Sequence, residues 1–314
     1  GLKVSHSRLK TYFIGFGFIR DYLFKTLDTD IMVMTMPDLH QYQLKRSNHD
    51  VHYLYVQHSL VSLHMIYRHG AFDHYDTICC AGPHHVQEVL AIEKRYNLPP
   101  KNIIELGYSR LDSLIKESKC YPKTNNHDEA RKFQKVLIAP SWGPEGLIES
   151  GLVSRLVDEL LKFDHEVVLR PHPQTLKFAS NKVEQILNRH NHNPHFYYED
   201  SVADQNSLHQ SDIMVSDWSG SALEYAFGLK KPIIFCDVPK KVNNPNYHDI
   251  DLVPLEVSIR DKIGTIWDGR SPIINCLKEI GASDKSYLQF LGNKYVFNIE
   301  NSCNVFSKKL AELI

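Results

Sequence analysis

Residues 211–237, SDIMVSDWSGSALEYAFGLKKPIIFCD, constrain the fold more than any other stretch. Ile213-Met214-Val215 has the length and β-branched character of a buried strand, and it stops at a cluster of small polar residues, Ser216 to Ser221. Residues 222–229 read as a short helix that Lys230-Lys231-Pro232 ends, and Ile233-Ile234-Phe235 opens a second strand. Strand, loop, helix and strand in that order form the repeating unit of a parallel sheet. The loop opens at a helix N-terminus, where free N–H groups and the helix dipole favour an anion. Ser216, Ser219 and Ser221 are expected to add hydroxyls there, and Gly220 to let a ligand approach the backbone. Glu224, a turn inside the helix, is placed to accept from a ribose hydroxyl. The plainer reading is a serine-rich cap, with Asp217 or Ser219 capping an ordinary helix.

The same alternation runs through the chain. Apolar strands are expected at 31–36, 51–57, 77–81 and 103–106, with a helix at 86–96. A polar, charged stretch around 116–135 then reads as a linker. Further strands follow at 136–139, 166–169 and 195–198, with helices at 150–163 and 179–189. Helices near 272–280, 284–291 and 301–313 close the chain. The fold class is therefore α/β, with parallel sheets covered by helices on both faces. The expected division is 1–118, a linker at 119–134, a second unit at 135–270, and C-terminal helices at 271–314. The chain begins at Gly1 and not at a methionine, so residues are expected to precede it in the natural protein.

Composition narrows the function. With 36 basic and 37 acidic residues in 314, no global field invites a nucleic acid. No apolar run approaches the roughly 18 residues needed to span a bilayer. The six cysteines show no paired spacing, and Cys79-Cys80 lies in an apolar run, which points to reduced, buried thiols in a cytoplasmic protein. The GxGxxG and GxxxxGK[ST] loops are both missing, which argues against a dinucleotide fingerprint and a P-loop kinase. No carboxylate set has metal-ligand character, so neither a metal nor another cofactor is expected. Residues 9–27 are aromatic-rich, with Arg8, Lys10, Arg20 and Lys25 nearby. They are expected to form a helix packed on a sheet, the alternative being a surface that touches a membrane.

In open α/β sheets, ligands bind beyond the carboxyl ends of the strands. Three such ends in the second half carry Pro140-Ser141-Trp142-Gly143, Arg170-Pro171-His172-Pro173 and the 216–221 serine cluster. Arg170 can offer a bidentate fork to a diphosphate, and His172 a single donor. Ends in the first half carry Gln57-His58-Ser59 and Gly107-Tyr108-Ser109-Arg110.

In this order the motifs resemble those of the CDP-glycerol glycerophosphotransferases, the teichoic-acid primases and polymerases. The resemblance covers roughly residues 51–240. His58-Ser59 stands where that family has histidine–glycine, and Gly107-Tyr108-Ser109-Arg110-Leu111-Asp112 where it has Gly-x-Pro-Arg-x-Asp. Ala139-Pro140-Ser141-Trp142 and Arg170-Pro171-His172-Pro173 follow. Asp217-Trp218-Ser219-Gly220 then takes the place of Asp-Tyr-Ser-Ser, with Glu224 near the family's aspartate.

The resemblance implies a GT-B arrangement, two Rossmann-like domains facing each other across a cleft. It implies an enzyme that moves glycerol phosphate or a related polyol phosphate from a CDP-activated donor to a hydroxyl of a glycan or lipid-linked acceptor. His58 would be the general base, with His64 and His69 as weaker candidates. His172 and Arg170 would hold the diphosphate, Ser216, Ser219, Gly220 and Ser221 would cradle the phosphates, Glu224 would bind the ribose, Trp142-Gly143 would wall the base, and Ser141 and Asp217 would complete the nucleotide-diphosphate site. Peripheral contact with the inner face of the cell membrane is implied as well. Other readings are a GT-B glycosyltransferase using a nucleotide sugar for capsule, lipopolysaccharide or cell-wall polymers, a UDP-sugar 2-epimerase-like isomerase, and a non-catalytic nucleotide-binding domain.

Overall fold

The computed structural model describes residues 10–42, 44–121, 135–201, 204–280 and 284–313. In the first half, α1 (Phe18–Thr26) precedes β1 (Ile31–Met34), β2 (His52–Val56), α2 (Leu63–Ile66), β3 (Thr77–Cys80), α3 (Pro83–Tyr96), β4 (Asn102–Glu105) and α4 (Ser109–Ser118). The four strands pair in parallel in the order β1-β2-β3-β4, with Leu54 opposite Thr77 and Ile78 opposite Ile103. Pro83 starts α3, where its missing N–H costs nothing, and Asn97 ends it in the left-handed region at φ 51°.

The second half contains β5 (Lys135–Ile138), α5 (Leu152–Lys162), β6 (Glu166–Leu169), α6 (Pro173–Phe178), α7 (Ser180–His190), β7 (Phe196–Tyr198), α8 (Asn206–Gln210), β8 (Ile213–Ser216) and α9 (Gly220–Glu224). A π-helical turn, Tyr225–Leu229, continues α9 and leads to β9 (Ile233–Cys236), α10 (Leu255–Ser258), α11 (Arg260–Ile263) and β10 (Thr265–Trp267). Six parallel strands order as β10-β9-β8-β5-β6-β7. The chain therefore leaves β5 toward one edge and returns at β8 toward the other. The crevice between the carboxyl ends of β5 and β8 is the switch point where such sheets bind ligands.

The helices α12 (Ile273–Glu279), α13 (Lys285–Tyr295) and α14 (Ser302–Leu313) are shared between the halves. α12 packs in the cluster formed by α5 and the outer face of the second sheet. Val305 and Phe306 of α14 instead cover Leu54, Cys79 and Ile104 of the first sheet. Helix α5 buries Val153, Leu156, Val157 and Leu160, the i, i+3, i+4, i+7 stripe of a core-facing helix. The largest core cluster runs across both halves, joining Tyr55, Leu60 and Leu111 to Met214, Phe227 and Leu255.

The structure departs from the sequence reading at several points. α4 occupies residues read as a turn running into the linker, because Leu111, Leu114 and Ile115 form a buried stripe behind the polar Gly-Tyr-Ser-Arg opening. The linker's central residues, 122–134, lie outside the described residues, as does Arg8. β10, flanked by charged residues, was not anticipated. Nor is α1 packed on a sheet. It has no buried residue, Phe13, Phe16 and Phe18 are 97%, 94% and 82% exposed, and only Phe24 leans on the core. Cys79 and Cys80 are fully buried free thiols, and burial pushes Cys79 up to about 12.

Candidate active site

Beyond β2 the chain turns at Gln57-His58-Ser59. His58 is exposed, and its ring lies between two phenols: Tyr55 Oη is 2.9 Å from Nδ1 and Tyr67 Oη is 3.3 Å from Nε2. Its backbone carbonyl lies 2.8 Å from Tyr108 Oη, whose single proton it shares with Glu224, and this holds the turn against α4. Burial raises the pKa of both ring-bonded phenols above the ordinary value, so they stay protonated. Desolvation lowers the His58 pKa from 6.5, opposed by the Thr35 backbone and by the charge of Glu224. The imidazole is therefore neutral at pH 7, and of its two phenol contacts the one with Tyr67 is the longer.

His172 sits beyond β6 as the N-cap of α6, its Nδ1 accepting from Gln174 N–H at 3.1 Å. That bond leaves the proton of the neutral ring on Nε2, making it a donor. Burial, Lys241 and His58 together push its pKa down to about 4. The Trp142 ring lies 6.1 Å from His172 and stacks on Phe178 at 6.3 Å. Gly143 follows at φ 148°, a conformation open to glycine, and no atom lies within 4 Å of where its Cβ would be.

The serine loop is more structural than its composition suggests. Ser216 is fully buried and donates to Ala139 O at 2.7 Å, tying β8 to β5. Asp217 is buried and accepts from Ser141 N–H at 2.7 Å, Trp218 N–H at 2.6 Å and Leu147 N–H at 3.4 Å, so it pins the loop after β5. It does not cap α9. Ser219 is the cap, accepting from Ser221 N–H, and the Ser219 and Ser221 hydroxyls lie 2.8 Å apart, both half-buried. A Cβ at Gly220 would collide with the Ser59 hydroxyl, so the close approach this glycine permits is to the first half of the chain.

Glu224 is buried and bonded across the same boundary. Tyr108 Oη donates to Oε1 and Arg110 Nε to Oε2, each at 2.8 Å. Both carboxylate oxygens thus serve the contact between halves instead of standing open to a ribose. Arg170 is likewise buried, in an ion pair with Glu199 at 2.8 Å and a bond to Ser207 Oγ at 3.0 Å, so its fork is turned to the protein. Two further links hold the His58 turn. Glu256 accepts from Ser62 N–H at 2.9 Å and from Ser62 Oγ at 2.6 Å, and Asn244 donates to His64 O at 2.9 Å. His64 itself is buried against Glu88 at 3.3 Å. His69 meets Tyr96 edge-on at 4.3 Å.

Lys241 escaped the sequence reading, since it follows the recognisable KKPIIF strand by five residues of loop. Its Nζ lies 4.6 Å from the Trp142 ring centroid. Among the described residues, no three His, Cys, Asp or Glu side chains are grouped to hold a metal ion.

Two parallel α/β sheets, of four and six strands, make the fold one of GT-B type. Residues 64–241 match the family of CDP-glycerol:poly(glycerophosphate) glycerophosphotransferases. The match covers more than half of the chain, and the protein belongs to this family. His58 lies just outside the matched residues. No curated protein matches the chain. Among solved structures, the wall teichoic acid polymerase TagF is similar over 87% of this chain and 73% of its own, at 15% identity and a TM-score of 0.50. A UDP-GlcNAc 2-epimerase from Methanocaldococcus jannaschii is similar over 84% of this chain and 69% of its own, at 12% identity and a TM-score of 0.46.

Proposed function

We propose that the protein moves glycerol phosphate, or a related polyol phosphate, from a CDP-activated donor to a hydroxyl of a glycan or lipid-linked acceptor. The observation that carries this reading is the junction of the two rims: Gly220 of the loop after β8 packs directly on Ser59, so the turn bearing His58 sits against the half of the chain that carries His172. The family match supports a CDP-glycerol donor, and the similar TagF structure is one soaked with CDPG. Residues 1–118 would present the acceptor, 135–270 would hold the donor, and 119–134 would link them.

Neutral His58 takes the proton of the acceptor hydroxyl as its oxygen attacks the β-phosphorus. The new O–P bond forms while the bond from that phosphorus to the bridging oxygen breaks, and CMP leaves with the electron pair. His172 Nε2–H donates to a phosphoryl oxygen as charge builds there, and the half-buried hydroxyls of Ser219 and Ser221 serve as further donors. Trp142 and Gly143 wall the nucleoside. Exposed Phe13, Phe16 and Phe18, with Lys10 and Arg20 nearby, are the surface we assign to peripheral membrane contact. No helix among the described residues is long and apolar enough to cross a membrane.

The test is release of CMP from CDP-glycerol in the presence of a hydroxyl acceptor, with UDP-sugars offered in parallel. CMP release is expected, falling ~10²–10⁴-fold in His58→Asn with CDP binding retained. The acid limb of kcat/KM is expected below 6.5, reporting the lowered His58. Turnover of a UDP-sugar with CDP-glycerol untouched would replace this reading with a glycosyltransferase.

A further inference from the structure

We infer that Lys241 is a second anchor for the donor's phosphates, acting with His172 beside the Trp142 ring; the inference rests on the CDP-donor reading above. Lys241 lies in the loop beyond β9, the strand next to β8, and so on the rim that carries His172. Its ammonium is half-buried over Trp142, and among the described residues it has no hydrogen-bond or ion-pair partner. Three groups face it electrostatically. Asp217 and Glu149 favour its charge, and Lys241 in turn pushes down His172.

Neither carboxylate claims the ammonium. The Asp217 oxygens are taken by the N–H groups of Ser141, Trp218 and Leu147. Glu149 Oε1 accepts from the Thr175 hydroxyl at 2.9 Å, and Oε2 is buried without a partner. An ammonium withdrawn from water without a counter-ion is held at a cost that an incoming anion removes. The indole face offsets part of that cost and keeps the lysine extended over the rim. Lysine presents a point charge that any phosphate oxygen can meet, while His172 presents one directed N–H, so the two suit different oxygens of a diphosphate. Arg170, which the sequence nominated for this task, faces Glu199 instead.

Burial lowers Lys241 to about 8, and this gives the anchor a signature. Donor binding should weaken as pH rises through about 8, where the ammonium is lost. Asp237 and Lys240 of the same loop are exposed.

The experiment is calorimetric titration of CDP into wild type, Lys241→Met, Lys241→Arg, Lys240→Ala and His172→Ala between pH 7 and 9. Methionine keeps the stack on Trp142 without the charge, and melting curves confirm folding of each variant. The expected result is a loss of about tenfold or more in CDP affinity for Lys241→Met, with Lys240→Ala within about twofold. Lys241→Arg should bind CDP with no weakening near pH 8. If His172→Ala loses CDP while Lys241→Met matches wild type, the anchor is overturned and the donor reading stands. If wild type binds no CDP, both fall.

Discussion

The loop after β8 and the rim formed by the loop after β5, the start of α6 and the loop after β9 show how differently polar residues can be used. The first is richer in hydroxyls and carboxylates, yet Ser216, Asp217, Gly220 and Glu224 are all committed to protein contacts. The second spreads its polar residues over three loops, and there His172 Nε2 and Lys241 Nζ have no hydrogen-bond partner among the described residues. A helix N-terminus with serines looks like an anion site from its sequence. What decides the matter is how many donors remain after the fold has used its share. Here α9 is five residues long, and its cap is already closed by Ser219.

The comparison breaks most sharply at Asp217. Asp217→Ala leaves three backbone N–H groups without their acceptor and should cost about 3–5 kcal/mol in urea unfolding. A stable Asp217→Ala protein that had lost CDP binding would make Asp217 a ligand group instead of a pin. Next is Gly220→Ser, which crowds Ser59 and should cost about 1–3 kcal/mol. Ser59→Gly in the same chain should restore most of that loss, a coupling a double-mutant cycle reads directly.

Glu256, the bridge to Ser62, sharpens the comparison through pH. Burial, reinforced by Glu88 and opposed by the Ser62 hydrogen bonds, raises it to about 7 from 4.5. The folded state therefore holds the proton more tightly than the unfolded chain. The stabilisation is complete below about 4.5 and is lost as pH rises through about 7. Thermal melts should fall across that window in wild type, by the equivalent of about 1–3 kcal/mol, and this component should flatten in Glu256→Gln. The smallest effect is expected at Ser216, where Ser216→Ala should cost about 1 kcal/mol and leave CDP affinity unchanged.

Much of this molecule was legible in the sequence for a simple reason. Buried parallel strands are short apolar runs, and Ile213–Ser216 or Glu166–Leu169 can hardly be anything else. The rim motifs were legible because strand ends collect the residues that turns and ligands need. Partnership was not legible. Glu224 meets Tyr108 and Arg110 from more than a hundred residues away, and Ser59 meets Gly220 only once both halves are folded. The exchange of glycine and serine at those two positions, which looked like two departures from the family pattern, is one steric event. Lys241 was missed because a lysine in a loop carries no periodic signal. The aromatic stretch ending in α1 was given a sheet to pack on because apolar residues usually find one, and here they remain at the surface.

The central claim is that the donor is held by the His172 side of the rim, while Glu224 holds the two halves together. Measuring the CDP dissociation constant and the melting temperature of His172→Ala and Glu224→Gln side by side tests it most directly. The expected result is a weakening of CDP binding by about tenfold or more in His172→Ala with little change in melting. Glu224→Gln should melt several degrees lower and bind CDP within about twofold of wild type. The reverse pattern, CDP lost in Glu224→Gln at unchanged melting and kept in His172→Ala, would contradict the account.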